Sequence, residues 1–209
     1  MKPWNRFLNI FSWRDIKDFE VIEPEIIEPK DIIIIVDKKE PYKDPLTIQR
    51  IMLLHPLLRQ EGLKMYNEIC EAVSGRVVVR CSHTLRSFLE QNNLFEIGRS
   101  LAGSIVTWAR GGFSFHNYGL AIDIVLLVDK DGNGTFETAS WSTVADFDGD
   151  GKKDWMEVVE IFQKYGWQWG LIDKKGKRYD FPHFQKTLGY TIAQLRVMPK
   201  DKDGYPIFK

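Results

Sequence analysis

Two short stretches decide how this chain folds: residues 114–123, which read SFHNYGLAID, and residues 180–184, which read DFPHF. The first stretch runs directly into residues 124–128, which read IVLLV. Alternating and then continuous apolar residues predict a central buried strand that carries Asp123 near its start. A side chain at the start of a central strand is held rigidly.

These stretches contain the residue types of a zinc site. Two histidines and a carboxylate, here His116, His183 and Asp123, can hold one zinc ion and leave one coordination position open. A spacing of seven between His116 and Asp123 fits a loop that enters a strand, with Gly119 allowing tight backbone geometry. Asp180 lies three residues before His183 and could act on zinc-bound water. By spacing alone, a zinc site and a structural role for these histidines fit equally well.

The rest of the chain predicts helices and strands around that centre. Apolar residues at helical spacing from Thr47 indicate a short helix and a longer one that ends near residues 74–75. We expect strands at 77–79, 167–170 and 178–184, a helix at 155–165 and an irregular surface tail to Lys209. We divide the chain into an N-terminal extension of unknown role, residues 1–46, and a domain, residues 47–209, with an insertion at about 129–157.

Composition sets limits on the function. Lys plus Arg and Asp plus Glu both total 29, so the formal net charge is zero and no basic arm for nucleic acid is present. No apolar run is long enough to span a bilayer, and the N-terminus lacks the pattern of a signal peptide. We expect synthesis as a soluble cytoplasmic chain, unless another route exports it, and a monomer. Cys70 and Cys81 are predicted to be buried free thiols, with a single bridge between them as the alternative.

The insertion contains a calcium-binding pattern. Residues 146–157, DFDGDGKKDWME, match the EF-hand loop, with glycine at position 6 and a glutamate at position 12. An acidic surface turn is the simpler alternative. Because the loop lies between Asp123 and Asp180 in the chain, calcium could brace the two halves of the zinc site. The predicted oxygen ligands are Asp146, Asp148, Asp150, the carbonyl of Lys152, Asp154 and Glu157.

A partial copy of this loop precedes it. Residues 129–137, DKDGNGTFE, share the early acidic positions, but position 12 would be Ser140, which cannot chelate through two oxygens. The segment fits a hairpin turn, or the donation of a single ligand. We therefore predict one calcium loop.

Three motifs in order resemble the M15 zinc peptidases, which include D-alanyl-D-alanine carboxypeptidases and the L-alanyl-D-glutamate endolysins of phage. They are residues 114–123, residues 167–170 together with 180–184, and residues 86–94, RSFLEQNNL. Ser87 and Glu90 of the last motif also form a capping box for a helix. The resemblance covers about residues 76–190. It implies an α+β fold of the Hedgehog and DD-peptidase type, a small antiparallel sheet flanked by helices.

The resemblance also implies roles for individual residues. His116, Asp123 and His183 would be zinc ligands, Asp180 the general base, and Arg86 the group that holds the scissile carbonyl oxygen. Ser114 and Gln91 would line the substrate cleft. The implied substrate is a peptidoglycan stem peptide in the bacterial cell wall.

Several functions stay open at this point. The bond cut is either L-Ala–D-Glu within the stem or a terminal D-Ala–D-Ala, and the form of the Asp-x-Pro-His motif favours the endopeptidase. A non-catalytic wall-binding module with the zinc fold is an alternative, which the presence of Asp180 argues against. A calcium sensor is disfavoured because one EF-hand loop lacks a paired partner.

Overall fold

The computed structural model describes residues 44–208, which form five α-helices, one short 3-10 helix and five strands around one apolar core. The predicted extension, residues 1–46, lies almost entirely outside the described residues, and the division at residue 46 stays a prediction. The helices are α1 (Pro45–Met52), α2 (Pro56–Ala72), α3 (Phe88–Glu96), α4 (Asp154–Lys164) and α5 (Ile192–Val197). The strands are β1 (Val77–His83), β2 (Ala121–Val128), β3 (Thr138–Ser140), β4 (Gln168–Ile172) and β5 (Arg178–Gln185).

Strand β2 is the centre of an antiparallel sheet with the order β1-β2-β5-β4. On one side it pairs with β1 from Asp123, opposite His83, to Val128, opposite Val77. On its other side, its first residues pair with β5 and its last residues with β3. The sheet and the flanking helices confirm the predicted α+β architecture, and β1 is longer than the expected 77–79.

Helices α1 and α2 cover the sheet, and each begins at a proline, the residue suited to the first helical position. Close packing of the two helices requires glycine at residue 62, where an added Cβ would lie 2.9 Å from Cγ2 of Ile51. Helix α4 packs on α2. The bounds of α4, Asp154–Lys164, confirm the predicted helix at 155–165, and its Trp155 and Phe162 are buried.

The two acidic loops lie beside each other in the chain but belong to different local structures. Residues 129–137 connect β2 to β3, which pair antiparallel, so the partial copy is a hairpin loop. Residues 146–157 lead from an irregular segment into the first turn of α4. Only the second loop is followed by a helix, as an EF-hand loop requires.

The tail departs from the irregular surface segment that we expected. It contains α5, whose Leu195 is fully buried, and Tyr205 is 5 % exposed. Burial of these apolar side chains offsets the ordering of the tail. Within the described residues, Cys70 and Cys81 form no disulfide. Among residues 44–208, none of the helices is long and apolar enough to cross a membrane.

Candidate metal centre

The register of the sheet places Asp123 and His183 side by side. Asp123 in β2 is directly opposite His183 in β5, so the pairing of the two strands brings these side chains within contact distance. The side-chain atoms Oδ1 of Asp123 and Nδ1 of His183 lie 3.0 Å apart. Residues 60 positions apart in the chain therefore meet through backbone pairing.

His116 reaches the same point from a short 3-10 helix, Phe115–Tyr118, immediately before β2. Ser114 caps this helix by accepting a hydrogen bond from the His116 amide. Gly119 ends it with a left-handed φ of 66°, and a Cβ at this position would lie 2.5 Å from the backbone nitrogen of His55. Only glycine fits that turn, which sets the direction in which the chain enters β2.

Three atoms form a small triangle at this centre. Nε2 of His116 lies 3.1 Å from Oδ1 of Asp123 and 3.2 Å from Nδ1 of His183, and the third side measures 3.0 Å. Tetrahedral zinc with bonds of about 2.0–2.1 Å separates its ligands by about 3.3 Å. The triangle therefore fits one face of a zinc tetrahedron, with the fourth corner available for water or substrate.

Hydrogen bonds on the outer side of the two imidazoles show which ring nitrogens carry the protons. Nδ1 of His116 lies 2.7 Å from the Thr84 carbonyl oxygen, and Nε2 of His183 lies 3.1 Å from Oε1 of Gln185. Both partners are acceptors, so these two nitrogens carry the protons. The inner nitrogens then present lone pairs to each other and to a carboxylate, an arrangement that a cation stabilises.

Electrostatics agree with a centre built for positive charge. Burial alone would raise the pKa of Asp123, but the facing His116 and His183 outweigh it and hold that pKa well below its ordinary value. Burial lowers the pKa of His183, and the Asp123 carboxylate reverses this, leaving it raised. His116 is 3 % exposed and His183 is 6 % exposed, so water screens these charges little.

A distortion in β5 places Asp180 beside the triangle. The pairing of β4 with β5 shifts between Trp169 and Leu171, so that several residues of β5 lie opposite Gly170 alone. Asp180 adopts a φ of 56°, uncommon for a residue other than glycine. Trp169 secures the bulge by donating its indole N–H to the Phe181 carbonyl at 2.8 Å. Bulges of this kind redirect side chains next to active sites.

The charge on Asp180 responds to the same neighbours. Burial and the nearby Asp123 carboxylate raise the pKa of Asp180. His183, His116 and Arg86 act in the opposite direction and are weaker. A carboxylate with a raised pKa beside a candidate metal site is suited to accept a proton and return it.

Arg86 approaches the centre from the other side. Its Nη2 lies 3.5 Å from Oδ2 of Asp123, and its backbone amide donates to the His116 carbonyl at 3.0 Å. Within residues 44–208, its buried Nε has no hydrogen-bond partner. The guanidinium therefore retains donor capacity next to the triangle.

Gln91, which we expected in the cleft, lies behind Arg86 instead. It is fully buried; its Oε1 accepts from Nη1 of Arg86 at 2.9 Å, and its Nε2 donates to the Ala109 carbonyl at 2.7 Å. Both ends of the amide are thus occupied within the chain. The geometry gives Gln91 the task of orienting Arg86, as Ser114 orients the helix of His116.

The predicted calcium ligands lie at the other end of β2. Asp148 accepts from the Ser74 amide at 3.3 Å, next to the point where β1 begins opposite the end of β2. Asp129, just after that end of β2, follows Asp123 by six positions along the strand direction, which is about 20 Å. The expectation that calcium braces the two halves of the zinc site is therefore wrong, because closeness in sequence did not become closeness in space.

The structure gathers only part of the predicted calcium set. One carboxylate oxygen from each of Asp146, Asp148 and Asp154 lies within 4.8 Å of the others. The side chains of Asp150 and Glu157 are paired with the Lys152 ammonium, at 3.2 and 2.9 Å. A lysine thus supplies positive charge where an EF-hand would direct two further carboxylates to the ion.

Sequence reasoning missed three residues that support the triangle of His116, Asp123 and His183. Thr84 accepts through its backbone, so its side chain carries no signal. Asn117 donates to the Arg86 carbonyl at 2.8 Å and accepts from the Gly112 amide at 2.9 Å, and only the fold brings these groups together. Gln185 lies two residues after His183, on the same face of β5, and that period of two could have revealed it.

The chain is similar to known peptidoglycan peptidases. The family described as D-alanyl-D-alanine carboxypeptidase, within peptidase family M15, matches residues 108–186. The peptidoglycan L-alanyl-D-glutamate endopeptidase CwlK of Bacillus subtilis (strain 168) is 42% identical over 134 residues, which cover 63% of this chain and 72% of that protein. The crystal structure of Serratia marcescens L-Ala D-Glu endopeptidase ChiX aligns with a TM-score of 0.44 at 23% identity, covering 73% of this chain and 94% of that one.

The family match spans the part of the chain that holds the triangle and Asp180. Its bounds, residues 108–186, include the 3-10 helix of His116, strand β2 and strand β5. CwlK is matched over nearly three quarters of its length at an identity at which relatives share a fold and a general chemistry. We conclude that this chain belongs to the M15 family of peptidases.

Proposed function

We propose that the chain is a zinc-dependent endopeptidase that hydrolyses the L-alanyl–D-glutamate bond of peptidoglycan stem peptides in the bacterial cell wall. The observation that carries this proposal is the 42% identity with CwlK, whose name states that bond. The triangle of His116, Asp123 and His183 supports it, since three ligands and a free position are what catalytic zinc requires.

Each residue near the triangle has a task in such a reaction. When bound, zinc supplies Lewis acidity to water and to the scissile carbonyl. Asp180 takes a proton from the attacking water as the new C–O bond forms, and passes it to the amine nitrogen as the C–N bond breaks. Arg86 donates hydrogen bonds to the carbonyl oxygen as negative charge develops there. Gln91 keeps the guanidinium in place.

Cleavage of the terminal D-Ala–D-Ala bond is the second candidate, favoured by the description of the family that matches residues 108–186. The two activities release different products. An endopeptidase separates L-alanine from the rest of the stem, whereas a carboxypeptidase releases free D-alanine. Mass spectrometry of defined stem peptides distinguishes them directly.

Purified chain loaded with one equivalent of zinc, incubated with peptidoglycan and with defined stem peptides, tests the proposal. We expect fragments from cleavage between L-Ala and D-Glu. Asp180→Asn should retain zinc and lose hydrolysis by about 10²–10⁴-fold, because the proton acceptor is gone. Glu160→Gln is the matched control, since Glu160 is exposed on α4.

Two results would contradict the proposal. Release of D-alanine alone would assign the carboxypeptidase reaction. Zinc binding without hydrolysis of either bond would favour the non-catalytic wall-binding module.

We propose calcium as a second cofactor, which stabilises the structure and takes no part in the reaction. The acidic loop 146–157 lies near the end of β2 that is about 20 Å from Asp123, too far for its ion to take part in hydrolysis. Zinc is the metal that the reaction needs.

A further inference from the structure

The first turn of α4 buries two carboxylates, and one oxygen of each lacks a hydrogen-bond partner among residues 44–208. Asp154 is fully buried and Glu157 is 8 % exposed. Within residues 44–208, Oδ1 of Asp154 and Oε2 of Glu157 accept no hydrogen bond. Leaving a buried carboxylate oxygen without a partner costs free energy, and a cation is the usual compensation. These atoms therefore indicate a ligand at this point.

Asp154 also belongs to the cluster of three carboxylates described above. One of its oxygens lies within 4.8 Å of oxygens of Asp146 and Asp148. Calcium–oxygen bonds of about 2.4 Å place ligands on opposite sides of the ion about 4.8 Å apart. The three carboxylates already lie within the span of one calcium ion.

Glu157 completes the set through helix geometry. It follows Asp154 by three residues, and positions i and i+3 share one face of a helix. Its other oxygen, Oε1, holds the Lys152 ammonium at 2.9 Å, and that lysine side chain is 65% exposed. An exposed side chain can turn outward at little cost and leave both glutamate oxygens to an ion.

We propose that Asp146, Asp148, Asp154 and Glu157 bind one Ca²⁺, with Asp150 and the Lys152 carbonyl as further ligands, and that this ion locks the start of α4 to the turn between α2 and β1. The link to that turn is Asp148, which accepts from the Ser74 amide at 3.3 Å. Because α4 packs on α2, the ion stabilises the whole domain. This calcium site is independent of the peptidase reaction.

The hairpin loop, residues 129–137, is a comparison for the acidic loop 146–157, because it shares the early acidic positions and lacks the carboxylate at position 12. Asp129 in that loop accepts from the Gly132 and Gly134 amides just as Asp146 accepts from those of Gly149 and Gly151. Its later positions lead into β3 rather than a helix, and position 12 is Ser140. Asp129 is buried too, but backbone amides satisfy both of its oxygens. Among residues 44–208, buried carboxylate oxygens without a hydrogen-bond partner occur in the second loop, at Asp154 and Glu157, which points to calcium there and not in the hairpin.

The test uses the full chain with one equivalent of zinc in every sample, so that only calcium varies. Calorimetric titration with CaCl₂ should give about one ion per chain. At a hundredfold excess over its Kd, calcium should raise Tm by about 5–10 °C. Titration with MgCl₂ should give a weaker response, because Mg²⁺ demands a rigid octahedron that this seven-oxygen set does not offer.

Variants of equal chemistry distinguish the two loops. Asp148→Asn and Asp154→Asn should each lose the Tm increase, while Asp131→Asn, at the corresponding position of the hairpin loop, should keep it. Asp148→Asn keeps an oxygen for the Ser74 amide, so it remains informative if Asp154→Asn does not fold.

Two results would overturn the proposed calcium site. Wild type that binds no calcium, or Asp148→Asn that binds it as tightly as Asp131→Asn, overturns the site. Hydrolysis measured in parallel separates this outcome from failure of the proposed peptidase function, because Asp180→Asn should bind calcium as wild type does.

Discussion

The two ends of strand β2 make a contrast in how a protein prepares for a metal ion. At the Asp123 end, three ligand atoms already lie 3.0–3.2 Å apart. At the acidic-loop end, three carboxylates are gathered, and two others, Asp150 and Glu157, pair with Lys152. Paired strands hold two residues of the first set, Asp123 and His183, whereas a loop holds most of the second set.

This difference has a physical origin. Ligands on neighbouring strands share the backbone hydrogen bonds of the sheet, so their separation is set before any ion binds. Loop carboxylates repel one another and settle on backbone amides and a lysine until a cation arrives. We therefore expect zinc to bind a formed site, and calcium binding to be coupled to the stability of the domain.

The largest expected effect comes from removing Oδ1 of Asp123, the oxygen that contacts both His116 and His183. Asp123→Ala should abolish stoichiometric zinc binding and lower hydrolysis by roughly a thousandfold or more, since two imidazoles alone do not hold catalytic zinc. Metal analysis and peptide hydrolysis measure this. The calcium-induced rise in Tm should survive, and its loss would show that the two ends are coupled.

A smaller effect is expected from the partner of His183. Gln185→Leu removes the acceptor that fixes the imidazole, and zinc affinity should fall by about 10–100-fold. Competition with a chromogenic chelator gives the affinity. Gln163→Leu, an exposed site on α4, should leave it unchanged; equal losses in both variants would contradict the assigned role.

At the other end, calcium affinity should depend on pH. Burial, together with the Asp148 and Asp146 carboxylates, raises the pKa of Asp154 to about 6, so below pH 6 a proton occupies the group that the ion needs. Without calcium, the raised pKa favours folding at low pH, and that contribution is lost as the pH rises from about 4 to 6. Affinity should fall by up to about tenfold per pH unit below 6. Titrations between pH 5 and 7.5 would show a constant affinity if Asp154 is not a ligand.

The smallest effect concerns the lysine that competes with the ion. Lys152→Gln removes a positive charge near Glu157 and Asp150 but keeps the backbone carbonyl, so calcium affinity should rise by about three- to tenfold. Lys153→Gln is the adjacent control. Equal gains in both variants would indicate a general charge effect and not displacement of the Lys152 ammonium.

Sequence reasoning performed differently for these two ends. At the zinc end, the family resemblance identified His116, Asp123 and His183, and the structure brings all three together. It could not reveal that Gln91 lies behind Arg86, because burial of a polar side chain depends on what packs over it. At the acidic end, closeness in sequence suggested a brace across the zinc site, and the length of β2 separates the two.

The sequence by itself determined the elements and the chemistry of this protein. Helical periodicity, proline starts, the capping box at Ser87 and the strand after Asp123 are local properties that short-range sterics and burial dictate. Tertiary structure alone decided which residues meet. The register that sets Asp123 opposite His183, the bulge that places Asp180 and the burial of Asp154 depend on backbone pairing and packing between distant segments. Such contacts leave no fixed spacing in the chain.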